Sequence, residues 1–540
     1  MDAELQAQLS RLSAGEVSAL RQLAQSDAST CLEKLRQLGF ETLGERSRLL
    51  QLLRESGSVD SAPMEIEQPH LTGTQGEVPA AEGAPKGLGE VVALKQQGNA
   101  LIQARQYAQA IECYSQAIRK EPPATEMAVL LANRALAMLR SRRFEECIWD
   151  CDASLGFAPT YAKAVYRRAQ AHEALGDLPR AEADARQLLE WEPSNHDASL
   201  TAARIQTCSR LRRGETLDDA ASLFLCCDNS YKRELLADPQ SAARYPNTVS
   251  REVSGHWVEV APTPLPQPFL VAYSASMAAA IGLSSTACSS AAFCRIFSGD
   301  LSDVRGLQPE LSTRPWATPY AVSVFGQPIL SPDPFGRGNG YGDGRALSLG
   351  EFVGADGGRW ELQLKGAGKT PFSRSHDGRA VIRSSVREFL VSEAMEAMRV
   401  PTTRALCLVA TSGERVGRAW YAEHDHGGDH PPDTMIAETC AITCRAAPSF
   451  LRVGHLELWS RRMEARRPGS GEALEALVRH AIHREFAEIP PSLPLLQQVV
   501  ELVRLFAQRH AHTVAQWLRV GYVQGNMNSD NCLLSGRTMD

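Results

Sequence analysis

Trp360-Glu361-Leu362-Gln363-Leu364-Lys365 is the stretch on which the reading of this chain turns. Apolar and polar residues alternate along it, the period of a strand, and it ends on a lysine followed by Gly366-Ala367-Gly368-Lys369. Twenty-three residues beyond Lys365, Glu388 lies in a helical run from Ser384 to Met398. A strand lysine held by a helix carboxylate orients a cation against nucleotide phosphates, because the ion pair restrains a long flexible side chain before the nucleotide arrives. Glu393 on the same helix competes for that role, and helical phase leaves both open.

The flanks extend the pattern. Upstream, Phe335 through Arg345 is glycine-rich, and glycines let a backbone approach phosphate while Arg345 supplies a permanent charge. Between Lys365 and Glu388, Asp377-Gly378-Arg379 forms a turn beside the basic residues Arg383 and Arg387. Met527-Asn528-Ser529-Asp530-Asn531 is followed by a short apolar stretch and Asp540. Kinase-like enzymes hold a magnesium nucleotide with that order of groups: one carboxylate near the attacking hydroxyl, then an amide and a second carboxylate on the metal.

The chain has 540 residues, enough for three or four domains. A net charge of -6 gives no basic footprint for nucleic acid, and no apolar run approaches membrane-spanning length. The thirteen cysteines form no C-x-x-C and no zinc-spaced cluster. Cys147/Cys151 and Cys440/Cys444 read as buried small residues. The histidines of the insertion His424 to Asp433 (His424, His426, His430) read as a solvated loop in preference to a metal site. No signal peptide is visible, so the expected setting is a reducing one, the cytoplasm.

Residues 1–56 have helical periodicity and read as a small helical region, and 57–90 as a disordered linker. From Leu94 the chain repeats itself: Pro122, Pro159 and Pro193 recur at intervals of 37 and 34 residues. Small residues (Gly98, Ala110, Ala117, Ala135, Cys147, Ala169, Ala181) fall where paired helices must approach closely. This is the tetratricopeptide (TPR) period, giving an expected domain at 91–213 of three repeats and a capping helix. Lys95, Asn99, Asn133, Lys163 and Arg167 lie on first helices, which line the concave face. Two amides and three cations in one trough suit a peptide ending in carboxylates. The array resembles the carboxylate-clamp TPR domains of chaperone cofactors, which implies binding to the acidic C-terminal tails of the seventy- and ninety-kilodalton heat-shock chaperones.

Residues 228–540 resemble the selenoprotein O family. The matching stretches are Gly342-Asp343-Gly344-Arg345-Ala346, Glu361 through Gly368, Asp377-Gly378-Arg379-Ala380, Arg383 through Leu390, Pro401 through Leu406, Ala447 through Arg452 and Asn528-Ser529-Asp530-Asn531. Members are kinase-like proteins that transfer AMP from ATP to Ser, Thr or Tyr hydroxyls of proteins, with ATP inverted relative to ordinary kinases. The resemblance implies that Gly342, Gly344, Arg345, Lys365, Asp377, Gly378, Arg445 and Arg452 contact nucleotide and that Glu388 holds Lys365. It also implies Asp530 as catalytic base, with Asn531 and Asp540 binding Mg. Inverted ATP buries its γ end, so extra arginines are needed there; unpaired, Arg345, Arg445 and Arg452 would repel one another around an empty pocket.

The expected architecture is therefore multidomain: an all-α TPR helical array, then an α+β protein-kinase-like domain with an incomplete C-lobe. That lobe should expose apolar helix residues such as Val499, Leu502, Val503 and Phe506. Where the family has His-Gly before the catalytic stretch, this chain has Gln524-Gly525-Asn526. The expected function is protein adenylyltransferase with chaperone docking; the alternative is an adaptor whose kinase-like part binds nucleotide weakly or not at all. Transfer of the γ-phosphate is a third, less favoured reading. Family resemblance makes mitochondria the alternative compartment.

Overall fold

The computed structural model describes residues 88–104, 106–307, 314–330, 341–355, 357–374, 376–419 and 434–539, with Leu20 and Lys34 standing alone before them. Apart from those two residues, the expected helical region 1–56 and nearly all of the linker thus lie outside the described residues, as do the His424–Asp433 insertion and Asp540. The chain divides into two compact units, Met1–Ile205 and Gln206–Asp540.

The first unit is a series of helix pairs. Leu88–Gln103 (α1) pairs with Tyr107–Arg119 (α2), Ala124–Arg140 (α3) with Phe144–Phe157 (α4), and Ala162–Leu175 (α5) with Leu178–Trp191 (α6). His196–Arg212 (α7) follows. Ala110, Ala117, Ala135, Cys147, Ala169 and Ala181 are fully buried, because only small side chains let the helices of adjoining turns come this close. Gly98 shows the limit: a Cβ there would lie 2.6 Å from the Tyr114 ring. Buried ion pairs add register. Arg134 grips Asp150 with two 2.7 Å hydrogen bonds, and Arg168 spans Asp184 and Asp152.

The second unit is built on an eight-stranded antiparallel sheet. Its strands are Val258–Glu259 (β1), Pro268–Tyr273 (β2), Trp316–Ala317 (β3), Ala346–Val353 (β6), Arg359–Lys365 (β7), Ala380–Val381 (β8), Arg404–Ala419 (β9) and Met435–Ala447 (β10). The order is β1-β3-β6-β7-β10-β9-β2, with β8 beside β10. A separate hairpin joins Val322–Val324 (β4) to Gln327–Ile329 (β5). Helix Ser230–Glu234 (α8) precedes the sheet, and Ile382–Ala397 (α9) lies on it through Phe389, which packs with Ala405, Leu408 and Ala441. Cys440 and Cys444 are buried in the sheet as free thiols, as Cys147 and Cys151 are in the first unit.

Three helices follow the sheet: Val453–Glu464 (α10), Ser470–Glu485 (α11) and Leu495–Arg519 (α12). Their core joins Trp459, Leu477, Phe486 and Leu502 to Trp257, Trp316 and Leu534. The expected exposed face of α12 is therefore only partly so. Leu502 is buried at 6% and Phe506 packs against this core, while Val503 stays 58% exposed beside Leu496 and Val500. Among the described residues no helix is long and apolar enough to cross a membrane.

Candidate functional site

Sheet register sets the first part of the site. Lys365, the last residue of β7, pairs with Thr443 of β10, and two positions on Arg445 pairs with Gln363, so Lys365 and Arg445 share a face. Helix α9 lays Glu388 over that face. Lys365 Nζ lies 2.6 Å from Glu388 Oε2, and Arg445 Nε donates to the other oxygen, Oε1. One carboxylate thereby aligns two cations. The competing Glu393 points elsewhere: its carboxylate accepts from Arg404, from Ser274 Oγ at 2.5 Å and from the Ala405 N–H.

The glycine-rich turn before β6 forms the second part. Gly342 has φ +152°, and a Cβ there would lie 2.5 Å from Phe372. Asp343 beside it is buried, and its Oδ2 accepts from the Thr318 N–H and hydroxyl at 2.9 and 2.7 Å. Arg452 Nη2 donates to the other oxygen at 3.2 Å, Nη1 donates to Tyr320 at 3.1 Å, and Nη1 also bonds Asp530 Oδ1. Burial disfavours the Arg452 charge, but Tyr320, Asp530 and Asp343 outweigh it and hold the guanidinium above its ordinary pKa. The expectation of unpaired, mutually repelling arginines is thus corrected for two of the three. Arg445 is neutralised by Glu388 and Arg452 by two acids, whereas Arg345 is exposed at the rim.

The turn Asp377-Gly378-Arg379 closes the third side. A Cβ on Gly378 (φ +73°) would fall 2.2 Å from the Gly368 backbone, so the two loops touch main chain to main chain. Asp377 is held by Arg418 of β9 through two hydrogen bonds of 2.8 and 2.9 Å. Burial alone would raise the Asp377 pKa; the Arg418 contacts reverse that and lower it. Arg379 spans Glu414 at 2.9 and 2.7 Å and is committed to the scaffold.

These walls enclose a cleft of about 480 Å³. Gly342, Gly344, Arg345, Lys365, Asp377, Gly378, Arg445, Arg452 and Asp530 all line it, and Glu388 sits behind two of them. Asp530 reaches it from an Asx turn in which Asn528 Oδ1 accepts the N–H groups of Asp530 and Asn531 at 3.1 and 3.0 Å. Asn531 is adjacent but does not line the cleft; its amide NH2 donates to Asn526 O at 2.9 Å, which leaves the carbonyl end for a cation. The amide oxygen of Asn531 is a hard donor of the kind magnesium takes, the carboxylate of Asp530 can accept a proton, and the surrounding cations suit a polyphosphate. Asp343, Tyr320 and Arg418 were not anticipated. Asp343 was legible only as part of the Gly-Asp-Gly-Arg run, and nothing in the sequence ties Arg418 to Asp377.

In the first unit, the helices α1, α3 and α5 bring three of the five polar groove residues into one hydrogen-bonded row. Asn133 Nδ2 donates to Asn99 Oδ1 at 3.4 Å, and Arg167 Nη1 donates to Asn133 Oδ1 at 3.4 Å. Burial lowers the Arg167 pKa, and no carboxylate pairs with it among the described residues. Lys163 is exposed one turn away. Lys95 is engaged within the chain: its Nζ lies 2.6 Å from Glu126 Oε1 at the start of α3.

The family model for protein adenylyltransferase SelO matches residues 239–540, more than half of the chain. The chain belongs to the SelO family. Tetratricopeptide models match residues 91–124 and 162–195, outside the SelO segment. Among SelO relatives, protein nucleotidyltransferase YdiU of Xanthomonas euvesicatoria pv. vesicatoria (strain 85-10) is 43% identical over 313 residues, covering 58% of this chain and 53% of that protein. YdiU of Xanthomonas axonopodis pv. citri (strain 306) is 43% identical over 318 residues with the same coverage. The chain spans about half the length of these SelO relatives. A solved structure, the first TPR of Spaghetti (RPAP3) bound to HSP90 peptide SRMEEVD, is 31% identical over 22% of this chain and 96% of its own, with a TM-score of 0.21.

Proposed function

We propose that the second unit is a protein adenylyltransferase, transferring AMP from ATP to Ser, Thr or Tyr hydroxyls of proteins, and that the TPR array docks it on the acidic C-terminal tails of seventy- and ninety-kilodalton chaperones. The observation that supports the enzymatic reading is the convergence of Lys365, Arg445, Arg452 and Asp530 on one glycine-walled cleft. Lys365 and Arg445, aligned by Glu388, grip the triphosphate, and Arg452 and Arg345 neutralise its inner end. The substrate hydroxyl loses its proton to Asp530 as its oxygen bonds to the α-phosphorus, and the bond from that phosphorus to pyrophosphate breaks. Asn531, next to Asp530 in the chain, and Asp540 would hold Mg, which would stabilise the departing pyrophosphate.

Arg452 and Asp530 form an ion pair in the cleft, a contact that competes with phosphate for Arg452 and with the substrate proton for Asp530. This pair also gives the adaptor reading its footing: should it persist with nucleotide present, docking alone remains. Incubation of the full chain with ATP labelled at the α or the γ position separates the readings. Protein labelled from the α position supports AMP transfer and from the γ position phosphate transfer. No label from either supports the adaptor.

For the groove, the half-buried, acid-free Arg167 and the exposed Lys163 favour an anionic peptide terminus over an uncharged one. The cytoplasm, where such chaperone tails are met, is the proposed compartment.

A further inference from the structure

Among its described residues, the second unit carries one concentration of metal-type donors that the nucleotide cleft does not use. Glu234 is the last residue of α8, while His480 and His483 project from α11, three residues apart and so on one side of that helix. His480 Nδ1 lies 2.7 Å and His483 Nδ1 3.5 Å from the same oxygen, Glu234 Oε2. One ligand atom from each residue falls within 4.8 Å of the other two. None of the three lines the cleft.

We infer that Glu234, His480 and His483 form a zinc site. Two imidazole nitrogens and one carboxylate oxygen are the donor set that Zn2+ takes, at about 2.0–2.2 Å from the ion, with water in the fourth tetrahedral position. Magnesium and calcium, which require oxygen, are poorly served. The surroundings hold the donors in place. Arg233 does not displace the imidazoles from Glu234 Oε2, since its Nη1 is bonded to Asp228 and its Nη2 reaches Glu234 only at 3.6 Å, on the far oxygen. Tyr231 packs edge-on against the His480 ring at 5.4 Å and fixes its plane, while His483 is 28% exposed and leaves the ion a path from solvent.

Both imidazoles face the same carboxylate oxygen, so a single ion could take one donor from each of the three side chains. Its effect is local. Tyr231 and Leu235, on either side of Glu234, share a core with Leu477, Ala481 and Ile482 of α11, so a bound ion staples α8 to the helical lobe along a seam that is already packed.

The test is zinc binding by the full chain, by chelator competition, together with thermal unfolding and the ligand-field spectrum of the cobalt-substituted protein. The wild type should bind zinc at this site, give a tetrahedral cobalt spectrum and melt at a higher temperature with zinc than with chelator. His483→Ala, at a half-exposed position that the fold tolerates, should weaken zinc binding by about tenfold or more and abolish the rise in melting temperature. Glu234→Gln, which keeps the shape, should do the same. A variant with His424, His426 and His430 all changed to Ala should retain both properties. Zinc affinity unchanged in His483→Ala, no zinc binding by the wild type, or loss of it in the triple loop variant would each overturn the inference.

Discussion

Arg452 donates to Asp530 from a guanidinium whose other nitrogen reaches buried Asp343 at 3.2 Å. The residue proposed as base and a residue proposed to bind phosphate are thus paired with each other. Asp530→Asn removes the charge from one side of this pair and leaves Arg452 its second acid. The expected outcome is ATP affinity equal to or higher than wild type, with AMP transfer slowed by about 10²–10⁴-fold. Equilibrium nucleotide binding and α-label transfer measured on the same preparation check it; a parallel loss of both would count against the assignment.

Glu388 aligns Lys365 and Arg445 together, so its loss should exceed that of a single contact. Glu388→Gln should weaken ATP binding by about tenfold or more, while Glu393→Gln should leave ATP affinity near wild type and lower the melting temperature through Arg404. Titration calorimetry and thermal unfolding of the two variants separate the roles.

In the groove, Lys95 is already paired with Glu126 at 2.6 Å, and a carboxylate-ended peptide must compete with that side chain. Glu126→Gln should therefore tighten binding of a Met-Glu-Glu-Val-Asp peptide by up to about fivefold, the range of a partly exposed ion pair. Lys163→Ala and Arg167→Ala should remove the micromolar binding expected of the wild type. Absence of heat with the wild-type chain would reject the docking proposal without touching the cleft.

Burial first, and then the negative charge of Glu351, push the Glu361 carboxyl up to about 7 from an ordinary 4.5. The folded chain keeps this proton where the unfolded chain has released it, so this group's contribution to stability falls as pH rises from 4.5 to about 7 and is level above that. Glu361→Gln lacks the slope and keeps the shape, with its amide able to donate to Ser348 and accept from the Phe450 N–H. Its stability relative to wild type should rise across that window and plateau at a gain of order 3 kcal/mol. Denaturant unfolding at several pH values reads the difference, in which the wild type's other titrating groups cancel.

Much of this was legible from local pattern. The lysine-ended strand, the helix glutamate and the Gly-Asp-Gly-Arg turn are contiguous motifs, and so is the proline-spaced helical repeat. The choice between Glu388 and Glu393 was not legible, because both occupy one helix and only Arg404 and Ser274, from distant segments, draw Glu393 away. Arg418 escaped for the same reason: it meets Asp377 from 41 residues along the chain. The pairing of Arg452 with Asp530 spans 78 residues, which is why the arginines were expected to be bare. Leu502 was expected on the surface because helical periodicity marks an apolar face without saying what covers it; Trp459, Leu477 and Phe486 share its core.

The main-chain contact at Gly378 bears on how the cleft can be dissected. With a methyl group there 2.2 Å from the Gly368 backbone, and one at Gly342 2.5 Å from Phe372, alanine at either position would wedge two loops apart. A scanning mutagenesis survey that treated these glycines like the arginines would score a distorted scaffold as a lost ligand contact. The polar side chains are the informative targets, and the glycines belong in the survey only as controls for misfolding.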